Sequence, residues 1–311
     1  MVRLASIIPN RPSGVPGTDD DLILVAELPA NQGYVRLTSI GAENSRDFLA
    51  LGSNGVEKAS ALLASPEAQP GGSLHVAPTD CLLCPPIDGS LVGKFICIGL
   101  NYRDHCKESG MPVPEEPVVF SKFASSIIGP GTEIVLDESL TQKLDYEVEL
   151  GVVIGAKVPR HTKESDAMKF VGGYTVVHDV SARDWQLEKN GGQWLLGKCI
   201  DGYAPIGPVI VTKDEILVSN VHNLGIRCRI NGHTLQNSST SQMVFKCDAL
   251  IAFLSRFMTL MPGDIIATGT PPGVGLGRNP PLWLKHGDVV ECEIDRIGTL
   301  SNPVVSASKT V

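Results

Sequence analysis

Apolar and polar positions alternate along residues 22–28 and again along 34–40, the period of two expected of half-buried strands, and the Ala- and Leu-rich stretch 56–64 has helical character. Together these predict a small α/β unit. Pro66, Pro70-Gly71-Gly72, Pro78 and Pro85-Pro86 follow closely enough to mark a boundary or a long crossing segment. Residues 1–75 thus read as a small N-terminal domain, 76–90 as a Pro/Gly-rich linker and 91–311 as a larger domain. Beyond the linker, short β-rich runs recur at 94–99, 118–121, 146–154, 174–180, 225–230, 264–268 and 288–294, mostly bounded by Gly, Pro or Asn. Helical periodicity is clearest over 241–260, where Phe245, Leu250, Ile251, Leu254, Phe257 and Met258 can share one broad face. Few helices fall between the strands, which disfavours a regular βαβ sheet and predicts an α+β, mainly β fold. No internal repeat or low-complexity tract is present.

Composition narrows the possible partners. The 311 residues are 42% hydrophobic and 19% charged, enough apolar content for a sizeable core. Against 26 Lys and Arg stand 34 Asp and Glu, a net charge of -8, and no stretch concentrates basic residues as a nucleic-acid groove requires. The longest apolar helical candidate, around 250–261, contains Arg256 and stops at Pro262-Gly263, short of a bilayer span. Neither nucleic acid nor membrane is expected as a partner. Residues 1–9 are followed by Pro12 and Pro16 without a secretory cleavage pattern, and Arg3 and Arg11 ahead of Asp19-Asp20-Asp21 only faintly echo a transit peptide. The expectation is a soluble intracellular protein of the mitochondrial matrix or the cytoplasm. Eight scattered cysteines read as reduced thiols, and Cys81-Leu82-Leu83-Cys84 lacks the second pair a zinc ribbon needs. Asn237-Ser238-Ser239 reads as a polar loop.

The chemistry concentrates in a few places. Glu147 and Glu149 lie two apart in a run, 144–154, that otherwise has the character of a buried strand. Residues i and i+2 of a strand share a face, roughly 6–7 Å apart at Cα. Two buried carboxylates on one face call for a cation, and hard divalent ions prefer such oxygen ligands. The competing reading is the wet face of a half-exposed strand, a pattern that Glu291-Cys292-Glu293-Ile294-Asp295 also presents; the unbroken apolar run after Glu149 separates the two. Asp179, ending the apolar run from Tyr174, is placed either to join them or to serve as a turn or cap residue. His105 and Glu108, spaced i, i+3 on a short predicted helix, form either a general-base dyad or a surface pair. Two glycine-rich stretches are decoys. Gly192 to Lys198 has most of the P-loop spacing, but Cys199 replaces the Ser or Thr that binds metal, and no apolar strand leads into it. Gly273-Val274-Gly275-Leu276-Gly277 runs into Pro280-Pro281, which cannot open a dinucleotide-binding helix, so it is a loop.

Four stretches together, Gly99-Leu100-Asn101-Tyr102-Arg103-Asp104-His105, Asp145-Tyr146-Glu147-Val148-Glu149-Leu150, His178-Asp179-Val180-Ser181-Ala182-Arg183-Asp184-Trp185-Gln186, and residues 261–275, closely resemble the fumarylacetoacetate hydrolase superfamily in order and spacing. The resemblance runs from about residue 90 to the C-terminus, and the preceding small domain and linker look like those of its domain-containing protein 2 branch. It implies a rolled, mixed β-sheet fold, a homodimer, and Glu147, Glu149 and Asp179 as ligands of Mg²⁺, with Ca²⁺ or Mn²⁺ possible. It further implies His105 with Glu108 as the catalytic dyad on a lid segment and Lys198 as a catalytic cation. Lys122, Arg183, Gln186 and Thr270 would surround the carboxylate and oxo groups of a small 2-oxo acid. One metal-enolate site supports three outcomes: oxaloacetate keto-enol tautomerisation, which the branch favours, acylpyruvate-type hydrolysis, or oxaloacetate decarboxylation. A metal-stabilised binding module without turnover is the reading from a different class.

Overall fold

The first strand, Arg3–Pro9, is buried along most of its length and hydrogen-bonds antiparallel to Ile23–Glu27, to Cys81–Cys84 and to Ala204–Thr212, far along the chain. Among the described residues it sits inside a mixed sheet of 12 strands whose main path runs His75–Val76, Tyr34–Arg36, Ile23–Glu27, Arg3–Pro9, Ala204–Thr212, Val171–His178, Val148–Ile154, Ile265–Ala267, Phe95–Gly99 and Val118–Lys122. The computed structural model describes residues 2–10, 18, 21–216 and 218–309. Arg11, Pro12, Pro16, Asp19 and Asp20, used above in reading the start of the chain, lie outside the described residues.

A second sheet of five strands, in the order His233–Ser239, Gly225–Ile230, Val289–Ile294, Gly298–Ser306 and Ile134–Leu136, packs across the middle of the first. The strand Val148–Ile154 shows why. Leu150, Val152 and Ile154 point to one side and join Ile226, Ile294 and Leu300 of the second sheet in one core. Val153 points to the other, where Ile210, Ile265, Phe48 and Leu49 form a second core beneath the helices Ser45–Ala50 and Ser53–Leu63. A strand buried on both faces has the near-continuous apolar run that the sequence carries. The architecture is α+β and mainly β, as expected. The linker region marks a change of composition, and strand hydrogen bonding is continuous across it.

Several expectations need correction. The helix drawn over 241–260 is only Cys247–Ser255, because the backbone of Phe245 is tied to the Asn101 side chain and the chain turns at Arg256. Phe257, assigned to its apolar face, is 59% exposed. Asn237 to Ser239 end a strand, and the Ser238 hydroxyl donates to Asp104 Oδ2 at 2.5 Å. The strands Arg3–Pro9, Ala204–Thr212, His233–Ser239 and Gly298–Ser306 escaped the sequence reading. Pro205, Pro208 and Pro303 argued against two of them.

Candidate active site

Antiparallel register builds the acidic cluster. Val148 pairs with His178, so one step further out Glu147 faces Asp179, whose N–H donates to the Glu147 carbonyl at 2.9 Å. Glu149, two residues along, projects to the same side. Ligand oxygens of Glu147, Glu149 and Asp179 all lie within 4.8 Å of one another, and all three side chains are buried.

Basic groups balance most of this charge. The Lys198 ammonium donates to Glu147 Oε2 at 2.6 Å and Asp179 Oδ2 at 2.8 Å, and stands 5.0 Å over the Phe120 ring. Arg183 donates from Nη2 to Glu147 Oε1 at 2.6 Å, from Nη1 to Gln186 Oε1 at 2.8 Å and from Nε to Asp145 Oδ2 at 2.7 Å. Burial alone would raise the Glu147 carboxyl, but Arg183 and Lys198 outweigh it and hold the group well below the usual carboxylate range. Glu149 has no such partner. It accepts the N–H of Gly269 at 2.8 Å, and burial, then the charges of Asp179 and Glu147, push its carboxyl well up.

These features fit a divalent cation. Glu149, 1% exposed, is the carboxyl whose charged form the bases leave unbalanced, and a bound cation would stabilise that form. Asp179 Oδ1 is buried and accepts no directed hydrogen bond. Lys122 Nζ lies 2.8 Å from that oxygen, yet its three hydrogens go to the carbonyls of Val180, Lys198 and Tyr203 at 3.0, 2.6 and 2.7 Å. An all-carboxylate donor set suits a hard ion.

The cluster opens on a cavity of about 470 Å³. Glu147, Glu149, Arg183, Gln186, Lys198 and Thr270 line it, and His105 and Glu108 stand on the same wall system with apolar Phe120, Leu187, Trp194 and Leu276. The helix Arg103–Ser109 brings His105 Nδ1 to 3.2 Å from Glu108 Oε2, and the Gly273 N–H donates to both Glu108 oxygens at 3.0 and 3.1 Å. Thr270 is largely committed, accepting from Gln236 Nε2 at 2.8 Å and donating to the Val148 carbonyl at 3.0 Å. Of the ten residues singled out by sequence, eight line the cavity; Asp179 is fully buried beside it, and Lys122 stands behind Asp179 away from the cavity wall. The decoy stretch ending at Lys198 supplies a carboxylate-bound ammonium, and the Gly273–Gly277 stretch is a loop whose amides hold acidic side chains.

Sequence reasoning overlooked Asp145, which anchors Arg183, and Gln236, which receives the Val148 N–H on Oε1 at 3.0 Å. Asp145 shares the i, i+2 pattern with Glu147, a signal that was present; Gln236 offers none.

Residues 94–305 match the fumarylacetoacetate (FAA) hydrolase C-terminal family. The chain belongs to this family. A Xenopus laevis relative named oxaloacetate tautomerase fahd2, mitochondrial, is 54% identical over 261 residues, covering 84% of this chain and 78% of the relative. The human oxaloacetate tautomerase FAHD2A, mitochondrial, is 58% identical over 212 residues, covering 68% of this chain and 66% of its own length. Both names place these relatives in the branch that the sequence was expected to resemble. Among solved structures, the fumarylacetoacetate hydrolase of psychrophilic Exiguobacterium antarcticum superposes with a TM-score of 0.77 at 32% identity, covering 98% of this chain and 100% of that one.

Proposed function

We propose that the chain is a magnesium-dependent oxaloacetate keto-enol tautomerase. The observation that carries this reading is the meeting, at one cavity, of three buried carboxylates with a hydrogen-bonded His–Glu pair. The substrate is taken from the names of the frog and human relatives. Glu147, Glu149 and Asp179 would hold the ion, with Ca²⁺ or Mn²⁺ as substitutes, since all three accept oxygen donors. When bound, the cation supplies Lewis-acid stabilisation of negative charge on the oxygens of a 2-oxo acid.

The remaining work falls to side chains. Lys198 lies in a buried site that would by itself disfavour its charge, but Asp179 and Glu147 hold it protonated, so it offers a fixed positive charge where an enolate develops. Arg183 fixes Gln186 Oε1, which turns the Gln186 amide N–H groups toward a substrate carboxylate. Glu108 takes the His105 Nδ1 hydrogen, leaving Nε2 to carry a proton to and from the substrate's C3 carbon. Thr270 contributes shape and one spare lone pair, and Lys122 supports Asp179 from behind.

Freshly dissolved enol-oxaloacetate, followed to its products with Mg²⁺ present, tests the reaction type. Keto acid formed without pyruvate supports the tautomerase; pyruvate released in step with substrate loss makes the enzyme a decarboxylase; cleavage of acylpyruvates with oxaloacetate untouched makes it a hydrolase. We also infer a homodimer, supported by Val119 on the outer edge strand of the large sheet and Phe123 just after it, 42% and 51% exposed. A sedimentation mass of one chain overturns that. Both relatives are named mitochondrial, which supports the mitochondrial matrix over the cytoplasm; organelle fractionation decides.

A further inference from the structure

Asp145 has no task in the reaction just outlined, yet it is fully buried and its carboxylate is saturated. Oδ1 accepts the backbone N–H groups of Tyr146 at 2.8 Å and Gly275 at 2.7 Å. Oδ2 accepts the Leu276 N–H at 3.0 Å and Arg183 Nε at 2.7 Å. Four donors match the four lone-pair sites of a carboxylate.

These bonds run to two different parts of the cavity. On one side Arg183 reaches Glu147 Oε1 at 2.6 Å and Gln186 Oε1 at 2.8 Å. On the other, Gly275 and Leu276 belong to the loop whose Gly273 N–H grips Glu108, the partner of His105. The loop comes this close only because residue 275 lacks a side chain: a Cβ there would stand 2.6 Å from Asp145 Oδ1 and 1.9 Å from the Leu282 carbonyl. Neutralising Arg183 needs one oxygen. Two of the other three bonds reach across 130 and 131 residues of sequence to the loop amides.

We propose that Asp145 is a positioning residue that holds the carboxylate–arginine side of the cavity and the His105–Glu108 side in one register, through Arg183 on one hand and the amides of Gly275 and Leu276 on the other. The proposal rests on reading the cavity as a proton-transfer site. A small displacement of the dyad relative to the substrate is costly, on the order of 100-fold in rate.

Asp145→Asn in the full-length, Mg²⁺-loaded protein tests it by two routes. Hydrogen exchange is expected to speed up together in 270–280 and 103–109, because both hang on the same loop. With oxaloacetate, kcat is expected to fall on the order of 100-fold with KM little changed. Combined with Glu108→Gln, the losses are expected to be strongly non-additive, which a merely stabilising residue would not produce. Faster exchange in 270–280 with 103–109 unaffected overturns the register claim, as does kcat close to the parent's, or additive losses. If the parent itself turns over no oxaloacetate, the proposed function fails while the exchange result still decides the role of Asp145. Should Asp145→Asn not fold, Arg183→Lys takes its place: removing the Nε donor to Asp145 is expected to speed exchange in 270–280 as well as weaken Mg²⁺-induced thermal stabilisation, and exchange in that loop unchanged from the parent's contradicts the coupling.

Discussion

At the scale of single residues, Glu149 carries the site's imbalance. Its buried carboxyl meets the charges of Asp179 and Glu147 and accepts a hydrogen bond from the Gly269 N–H. Replacing it with the isosteric neutral Gln removes that conflict. Glu149→Gln is expected to melt, without cation, at or above the parent's temperature, and to lose both activity and the response to Mg²⁺. The parent, by contrast, is expected to gain about 2.7 kcal/mol when Mg²⁺ stands at 100 times its Kd. Differential scanning fluorimetry with and without Mg²⁺ reads both effects. His105→Ala separates proton transfer from cation binding: kcat is expected to fall about 10²- to 10⁴-fold while the Mg²⁺ shift is kept. The Glu147–Glu149 pair was legible because period-two spacing is local. The partners of Asp145 were not, since Gly275 and Leu276 lie 130 and 131 residues away.

At the scale of elements, the short helix Leu195–Lys198 exists to deliver one ammonium. Gly197 lets it settle: a Cβ there would stand 2.6 Å from the Gln186 nitrogen and 2.7 Å from the Ala182 carbonyl, both backbone atoms that cannot swing aside. Gly197→Ala is expected to cost about 1–3 kcal/mol in urea unfolding. It is also expected to lower kcat, because Lys198 is the next residue. Apolar runs located the inner strands Phe95–Gly99 and Val148–Ile154, the second interrupted only by Glu149. Periodicity overshot the helix Cys247–Ser255, since what stops that helix is the distant Asn101 side chain holding Phe245. It passed over Ala204–Thr212, where two prolines hide a strand that pairs with two long neighbours.

At the scale of the whole molecule, the leading strand joins what composition separates. Arg3–Pro9 pairs with Ala204–Thr212, and Arg3 donates from Nη1 and Nη2 to the carbonyls of Arg296 and Ile297 at 2.9 and 2.6 Å, reaching the second sheet. Residues 91–311 alone would expose Ile206 and Ile210, which are buried in the core shared with Leu4 and Leu24. That fragment is expected to aggregate or melt well below the full chain in size-exclusion and thermal assays. No local pattern announces this pairing, because a strand's partner is a matter of the assembled sheet.

The central claim is that Glu147, Glu149 and Asp179 form a cation site at which oxaloacetate tautomerises. Its most direct test is the ultraviolet decay of enol-oxaloacetate with the parent protein in Mg²⁺, with the parent in EDTA, and with Glu149→Gln in Mg²⁺, each corrected for the protein-free rate. Fast decay in the first arm alone, without pyruvate, is the predicted result. Decay as fast in EDTA or with Glu149→Gln as in the first arm, or no acceleration in any arm, would contradict it.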